Sequence, residues 1–219
     1  KRLLEYDDVM NSQREVIYKK RRHALLGERI GVDIANNMYD VCEALVEEHK
    51  ENNEVEAFRL DVLKYLSVNF DIKEEEFQKM SASDLTEKLY KETRDTFSRK
   101  VEGIAKQAYP VIKNVFEQRG EMFKNIVVPF TDGKKMYNVV TNLEKAYRTE
   151  GEELVRAYEK SIMLAHIDDA WKEHLREMDD LKQSVQNATY EQKDPLLIYK
   201  FESFNLFKTM VDKINKSVV

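Results

Sequence analysis

From about Thr149 onward, apolar side chains recur at steps of three and four: Leu164, Ile167, Trp171, Leu175, Met178, Leu181 and Val185. That spacing is one face of a helix. It persists for about 36 residues, a rod of roughly 50 Å at 1.5 Å per residue. A rod of that length cannot bury its stripe by itself and needs long partners beside it. The polar stretch 186–193 ends it. Asp194-Pro195 then restarts a helix: the residue before a proline is pushed out of the α region, which makes Asp194 the N-cap and Pro195 the first helical position. Leu197, Phe201, Phe204, Met210 or Val211, Ile214 and Val218 form its expected stripe. Two long amphipathic helices joined by a short loop fold back antiparallel.

The opposite end of the chain reads the same way. Leu3, Tyr6, Met10, Ile17 and Ala24 share a face over 3–26. Gly27 and Gly31 are expected to interrupt that helix, with Asp33 capping a second one to about His49. "KENNE" (50–54) is the first candidate boundary. Beyond it, "EVEAFRLDVLKYL" predicts a helix, and Ser83 is a plausible N-cap for the next one, which Pro110 kinks or ends. "NIVVPFTDGKKMYNVV" alternates, is β-branched and centres on Asp132-Gly133, the signature of a two-residue hairpin turn. Only 6 Gly and 3 Pro in 219 residues leave few helix breakers. The expected fold is all-α: a first helical segment (1–49), a middle region of shorter helices (50–148) carrying one small β-hairpin at about 126–140, and an antiparallel two-helix segment (149–219).

Chemical motifs are sparse. "DGKK" lacks the glycines and the strand-to-helix setting of a phosphate loop. His166 and His174 lie about two turns apart, too far to share a metal, and no HExxH or CxxC occurs. Each of the four histidines reads best as a solvated or core residue. The single cysteine, Cys42, sits on an apolar helical stripe and reads as a buried thiol; one cysteine forms no internal disulfide, which suits a reducing compartment. "HIDDAWKEHLREMDD" reads as an exposed charged face, its carboxylates pairing with Lys172 and Arg176 on the same helix. "YKKRRH" (18–23) is either the solvated side of the first helix or a contact for an acidic partner, an anionic membrane surface or phosphate. The net charge of −5 counts against nucleic acid as a partner. No apolar run approaches the ~20 residues needed to span a membrane, and no signal peptide is visible. The chain begins at Lys1 inside helical pattern, as a piece of something larger would.

Trp171 falls on the apolar stripe and is expected in the core. Tyr190 has the opposite character. Its neighbours Asn187, Thr189, Glu191, Gln192 and Lys193 are polar. A large amphipathic ring between two long helices suits contact with another chain, although it could also fold back on its own hairpin.

"LLEYDDVMNSQREVIYKKRR", "WKEHLREMDDLKQS" and "YEQKDPLLIYKFESFNLF" together resemble the C-terminal half of SecA, the ATP-driven motor family of bacterial preprotein translocation. The resemblance covers roughly 1–26 and 150–219; the middle resembles the family's helical wing domain in position and helical character. It implies a scaffold helix, a wing and a two-helix finger. The finger would enter the cytoplasmic mouth of the SecY channel, where a loop tyrosine, matched by Tyr190, touches the unfolded preprotein. Thr189, Glu191, Gln192 and Lys193 would flank that contact. Trp171 matches a finger tryptophan linked to coupling with the ATPase, and Arg14 on the first helix joins it as a candidate coupling or packing residue. Many members carry a Leu-Arg pair and a glycine before the tyrosine, where Asn187, Ala188 and Thr189 stand here.

The resemblance further implies motor domains upstream of Lys1, with ATP and Mg²⁺ bound there and no catalytic site, metal or cofactor in this segment. It implies a cytoplasmic protein, peripheral on the inner membrane, with weak affinity for anionic lipid. The rival from another class is a stand-alone chaperone-like helical module gripping unfolded chains through Phe201, Phe204 and Phe207.

Overall fold

The computed structural model describes residues 2–27, 29–131, 133, 135–187 and 194–219. Among them are eight helices and one two-stranded antiparallel sheet. In chain order these are α1 (Arg2–Leu26), α2 (Ile30–Lys50), α3 (Val55–Leu66), α4 (Glu74–Lys79), α5 (Ala82–Arg119), β1 (Asn125–Thr131), β2 (Met136–Asn142), α6 (Leu143–Arg148), α7 (Glu152–Asn187) and α8 (Pro195–Val218). The chain is all-α with a small hairpin, as its periodicity predicts. By contact it divides into two compact units, Lys1–Arg29 with Met163–Val218, and Ile30–Ile162 with Val219.

The first unit is three long helices. Tyr6, Gln13, Ile17 and Ala24 are buried along one face of α1. The helix stops where Gly27 turns to φ 72°, a left-handed conformation natural to glycine, and its N–H bonds the His23 carbonyl at 3.0 Å. Helix α8 starts as expected, with the Asp194 carboxylate accepting the Leu196 N–H at 3.1 Å. Its buried face matches the expected stripe at Met210 and Ile214 but not in its first half. Leu196, Tyr199, Ser203, Met210, Ile214 and Asn215 point inward, whereas Leu197, Phe201 and Phe204 are 68%, 64% and 64% exposed. The most apolar positions do not all face inward, and the inner face admits Ser203 and Asn215.

Pairings fix the helix directions. Asp7, Gln13, Tyr18 and Arg21 of α1 meet Lys182, His174, Trp171 and Asp168 of α7, so partner numbers fall along α7 and the two run antiparallel. Tyr6, Gln13 and Lys20 meet Tyr199, Ser203 and Asn215, so α1 and α8 run parallel. Tyr6, Met178, Val185, Leu196 and Tyr199 form one buried cluster of this unit.

The second unit has two apolar centres. Cys42, Leu45, Phe58, Val62, Phe70, Phe77, Leu85 and Leu89 make the first, with the Phe58 ring 5.9 Å from Phe70 and 5.1 Å from Phe77. Ile112, Val139, Leu143, Ala146 and Leu154 make the second, beneath the inward side chains of the hairpin. Several local expectations shift. Gly31 and Asp33 lie inside the first turn of α2 and neither breaks nor caps it. The cap of α5 is Ser81, not Ser83: its hydroxyl accepts the Asp84 N–H at 3.0 Å and donates to the Asp84 carboxylate at 2.7 Å. Helix α5 continues through Pro110. Thr131 pairs with Met136, so four residues, not two, separate the strands.

Candidate functional site

Three helices clasped along their length form the structural basis of the candidate site. Trp171, only 9% exposed, lies in the seam, its ring centroid 6.5 Å from Tyr18 of α1 in an edge-on arrangement and 5.5 Å from His174 one turn on. Such a ring fixes two helices against one another by area and by quadrupole geometry. His174 is 0% exposed. Burial lowers its pKa below the ordinary imidazole value, since the charged form would lose its water. Its Nε2 lies 2.7 Å from Gln13 Oε1, and Gln13 Nε2 donates to the Ser203 carbonyl at 3.0 Å.

Ion pairs clasp the same helices from outside. Arg21 holds Asp168 through two bonds, at 2.7 and 3.1 Å, and the carboxylate raises the guanidinium pKa. Lys213 pairs closely with Glu173, whose carboxyl is pulled below its usual range by that ammonium. Lys182 lies 3.5 Å from Asp7. Tyr6 and Tyr199 meet at 4.7 Å, and burial, with Asp179 and Asp7 nearby, pushes the Tyr199 phenol up to about 12.

These pairings revise two sequence readings. Asp168 and Glu173 of the acidic run pair across helices, with Arg21 and Lys213, and do not simply pair with neighbours on α7. Within "YKKRRH", Lys20 reaches the Asn215 side chain at 3.1 Å and Arg21 reaches Asp168, while Lys19 and Arg22 face solvent. Arg14 is also exposed. It donates to Asn11 at 3.0 Å and, with Tyr18, Lys19 and Arg22, lines a surface groove of about 520 Å³. Tyr190, Thr189, Glu191, Gln192 and Lys193 lie outside the described residues.

Sequence reasoning missed the inward polar residues Gln13, Ser203 and Asn215, because hydropathy counts them as surface. Of the two readings given for His49, solvated or core, the structure shows the core one. That ring is buried, with Nε2 2.9 Å from Asp61 and Nδ1 3.4 Å from Glu54; Glu48, His49 and Asp61 bring potential ligand atoms within 4.8 Å of one another. Because both ring nitrogens already face carboxylates, this arrangement is a polar staple of α2 and α3. Cys42 lies buried 3.7 Å from the Thr93 hydroxyl, and burial pushes its thiol up to about 12, which suits a packing role and not a nucleophile. No described helix is long and apolar enough to cross a membrane.

Comparison with known proteins gives one family. The model of the SecA Wing and Scaffold domain matches residues 1–219. The protein translocase subunit SecA of Parabacteroides distasonis is 55% identical over 216 residues, 99% of this chain and 19% of that protein. Its counterpart from Flavobacterium psychrophilum is 56% identical over 219 residues, 100% of this chain and 20% of that protein. The one from Porphyromonas gingivalis is 51% identical over the same length. The chain therefore spans about a fifth of the length of these curated relatives.

Proposed function

The chain belongs to the SecA wing and scaffold family, and on that premise we propose that it is the non-catalytic, mechanical part of a protein translocase. Motor domains elsewhere in the parent bind ATP and Mg²⁺. Their movement is carried by α1 to α7 and α8, and so to the segment that joins those two helices. There Tyr190, flanked by Thr189, Glu191, Gln192 and Lys193, touches the unfolded preprotein at the mouth of the SecY channel.

The observation that carries this reading is the clasp. Gln13, Tyr18, Lys20 and Arg21 of one helix each hold a partner on α7 or α8. Helices tied at successive turns move as one body and can pass a displacement along their length. Trp171 couples α7 to α1 by filling their seam. Arg14, exposed on α1 one turn from Tyr18, receives contact from the motor domains. The parent works on the cytoplasmic face of the bacterial inner membrane, where exposed Lys19 and Arg22 add weak attraction to anionic lipid, about 1 kcal/mol per basic residue at the surface.

Calorimetry tests the division of labour. The 219-residue segment should give no heat with ATP and Mg²⁺, whereas the parent should bind micromolar nucleotide. A micromolar site in the segment alone contradicts the proposal. The exposed row Leu197, Phe201 and Phe204 favours a second reading, a holdase for unfolded chains. If the isolated segment suppresses aggregation of a denatured protein at stoichiometric ratio, and Phe201→Ser with Phe204→Ser abolishes that effect, the second reading prevails.

A further inference from the structure

The seam where α1, α7 and α8 meet carries a polar cluster at its middle. Gln13, His174 and Ser203 are all buried there. The amide nitrogen of Gln13 donates to the Ser203 carbonyl, which turns its oxygen toward His174. An amide oxygen only accepts, so His174 Nε2 carries the proton and donates. Its Nδ1 is then a bare lone pair, and it has no hydrogen-bond partner. The Ser203 hydroxyl turns away to the Lys200 carbonyl at 2.9 Å, leaving the Ser203 main chain as the acceptor.

Lys20–Asn215 adds a second buried polar side chain, between α1 and α8, while the exposed and apolar ties tolerate sliding. The Arg21–Asp168 and Lys182–Asp7 pairs are part-exposed, and water can replace either partner. Aromatic and aliphatic contacts exchange one neighbour for another at small cost. A buried amide and a buried imidazole do not: a shift of one turn leaves both without partners in a place water does not reach. A polar residue in a helical seam specifies register for this reason.

We propose that Gln13 is a positioning residue that locks the axial register of α1 against α7 and α8 at once, so that a push along α1 moves both helices together. The inference rests on the translocation reading and adds to it the part that prevents slippage. A neutral His174 is required, because an imidazolium here has no acceptor at Nδ1.

The test is made in the full-length parent. Gln13→Met keeps the length and volume of the side chain and removes both bonds. Ile17→Ala, one turn along the same buried face, removes volume and leaves both bonds. Basal ATP hydrolysis, preprotein moved into channel-bearing vesicles per ATP consumed, and melting temperature are measured for each. Gln13→Met should leave basal hydrolysis unchanged and lower the preprotein moved per ATP about five- to tenfold, the low end of ordinary coupling between sites. Ile17→Ala should lower the melting temperature at least as much and keep the yield. His174→Phe, which keeps a ring and removes one of the two bonds, should lose part of the yield, and it serves if Gln13→Met does not fold. An unchanged yield in Gln13→Met or His174→Phe, or an equal loss in Ile17→Ala, overturns the inference alone. A parent that moves no preprotein even unmutated refutes the functional reading, and this inference with it.

Discussion

At the scale of single residues, the seam contains two side chains whose removal should be felt in different ways. Trp171 touches Tyr18 and His174 and is almost wholly buried. Trp171→Ala should therefore cost about 3–5 kcal/mol of stability in the segment, the range for deleting a core aromatic. Thermal or urea unfolding reads this, and an unchanged midpoint would mean that the ring lies on a surface. His174 should report through pH. Its folded-state pKa is depressed by burial, so the unfolded chain binds the proton more readily. The contribution is fully present above the unfolded value of about 6.5 and is lost as pH falls through the folded one. His174→Gln should flatten the loss of stability on the acid side of neutrality relative to the unmutated segment. Parallel stability curves would show that the imidazole titrates as freely folded as unfolded.

Helix α8 shows most clearly, at the scale of elements, what a sequence can and cannot reveal. Its start at Asp194-Pro195, its length and its antiparallel return along α7 were all legible, because proline geometry and a 3.6-residue period are local properties. Which face turns inward was legible at Met210 and Ile214 but not in the first half of the helix. Leu197, Phe201 and Phe204 are more apolar than Tyr199 and Ser203, yet the latter pair face the core, held by Tyr6 and by Gln13. A hydrogen bond to a main-chain carbonyl on another helix leaves no mark in the pattern. The same limit applies to Lys20 and Arg21, whose partners lie at Asn215 and Asp168. The hairpin was legible from its alternation, while the length of its loop depends on the Thr131–Met136 register, which alternation does not state. "KENNE" is a turn, but α2 packs on α3 and α5, so by contact α2 groups with the middle of the chain. Substitutions should follow the observed face. Tyr199→Ala should cost about 3–5 kcal/mol as a buried aromatic, and Phe201→Ser should stay within about 0.5 kcal/mol as an exposed one. Thermal unfolding of the two variants distinguishes the faces, and the reverse order would restore the stripe drawn from hydropathy.

At the scale of the whole molecule, the first unit supplies three tied helices, and the sequence holds no recognisable nucleotide motif, in a family of translocase subunits about five times its length. The proposed contact of Tyr190, Thr189, Glu191, Gln192 and Lys193 with preprotein rests on the resemblance: polarity singles out Tyr190 as a ring suited to another chain, not what it meets. A phenol ring suits a contact that must accept any passing sequence, since it packs by dispersion and loses little entropy, having only two side-chain torsions to fix. The most direct test of the account is preprotein transport into SecY-containing vesicles by the full-length parent carrying Tyr190→Ala or Tyr190→Phe, run beside its basal ATP hydrolysis and its melting temperature. The account predicts that Tyr190→Ala loses transport while hydrolysis and melting temperature are kept, and that Tyr190→Phe retains most transport because the ring remains. Normal transport by Tyr190→Ala, or a loss that follows unfolding, would contradict it.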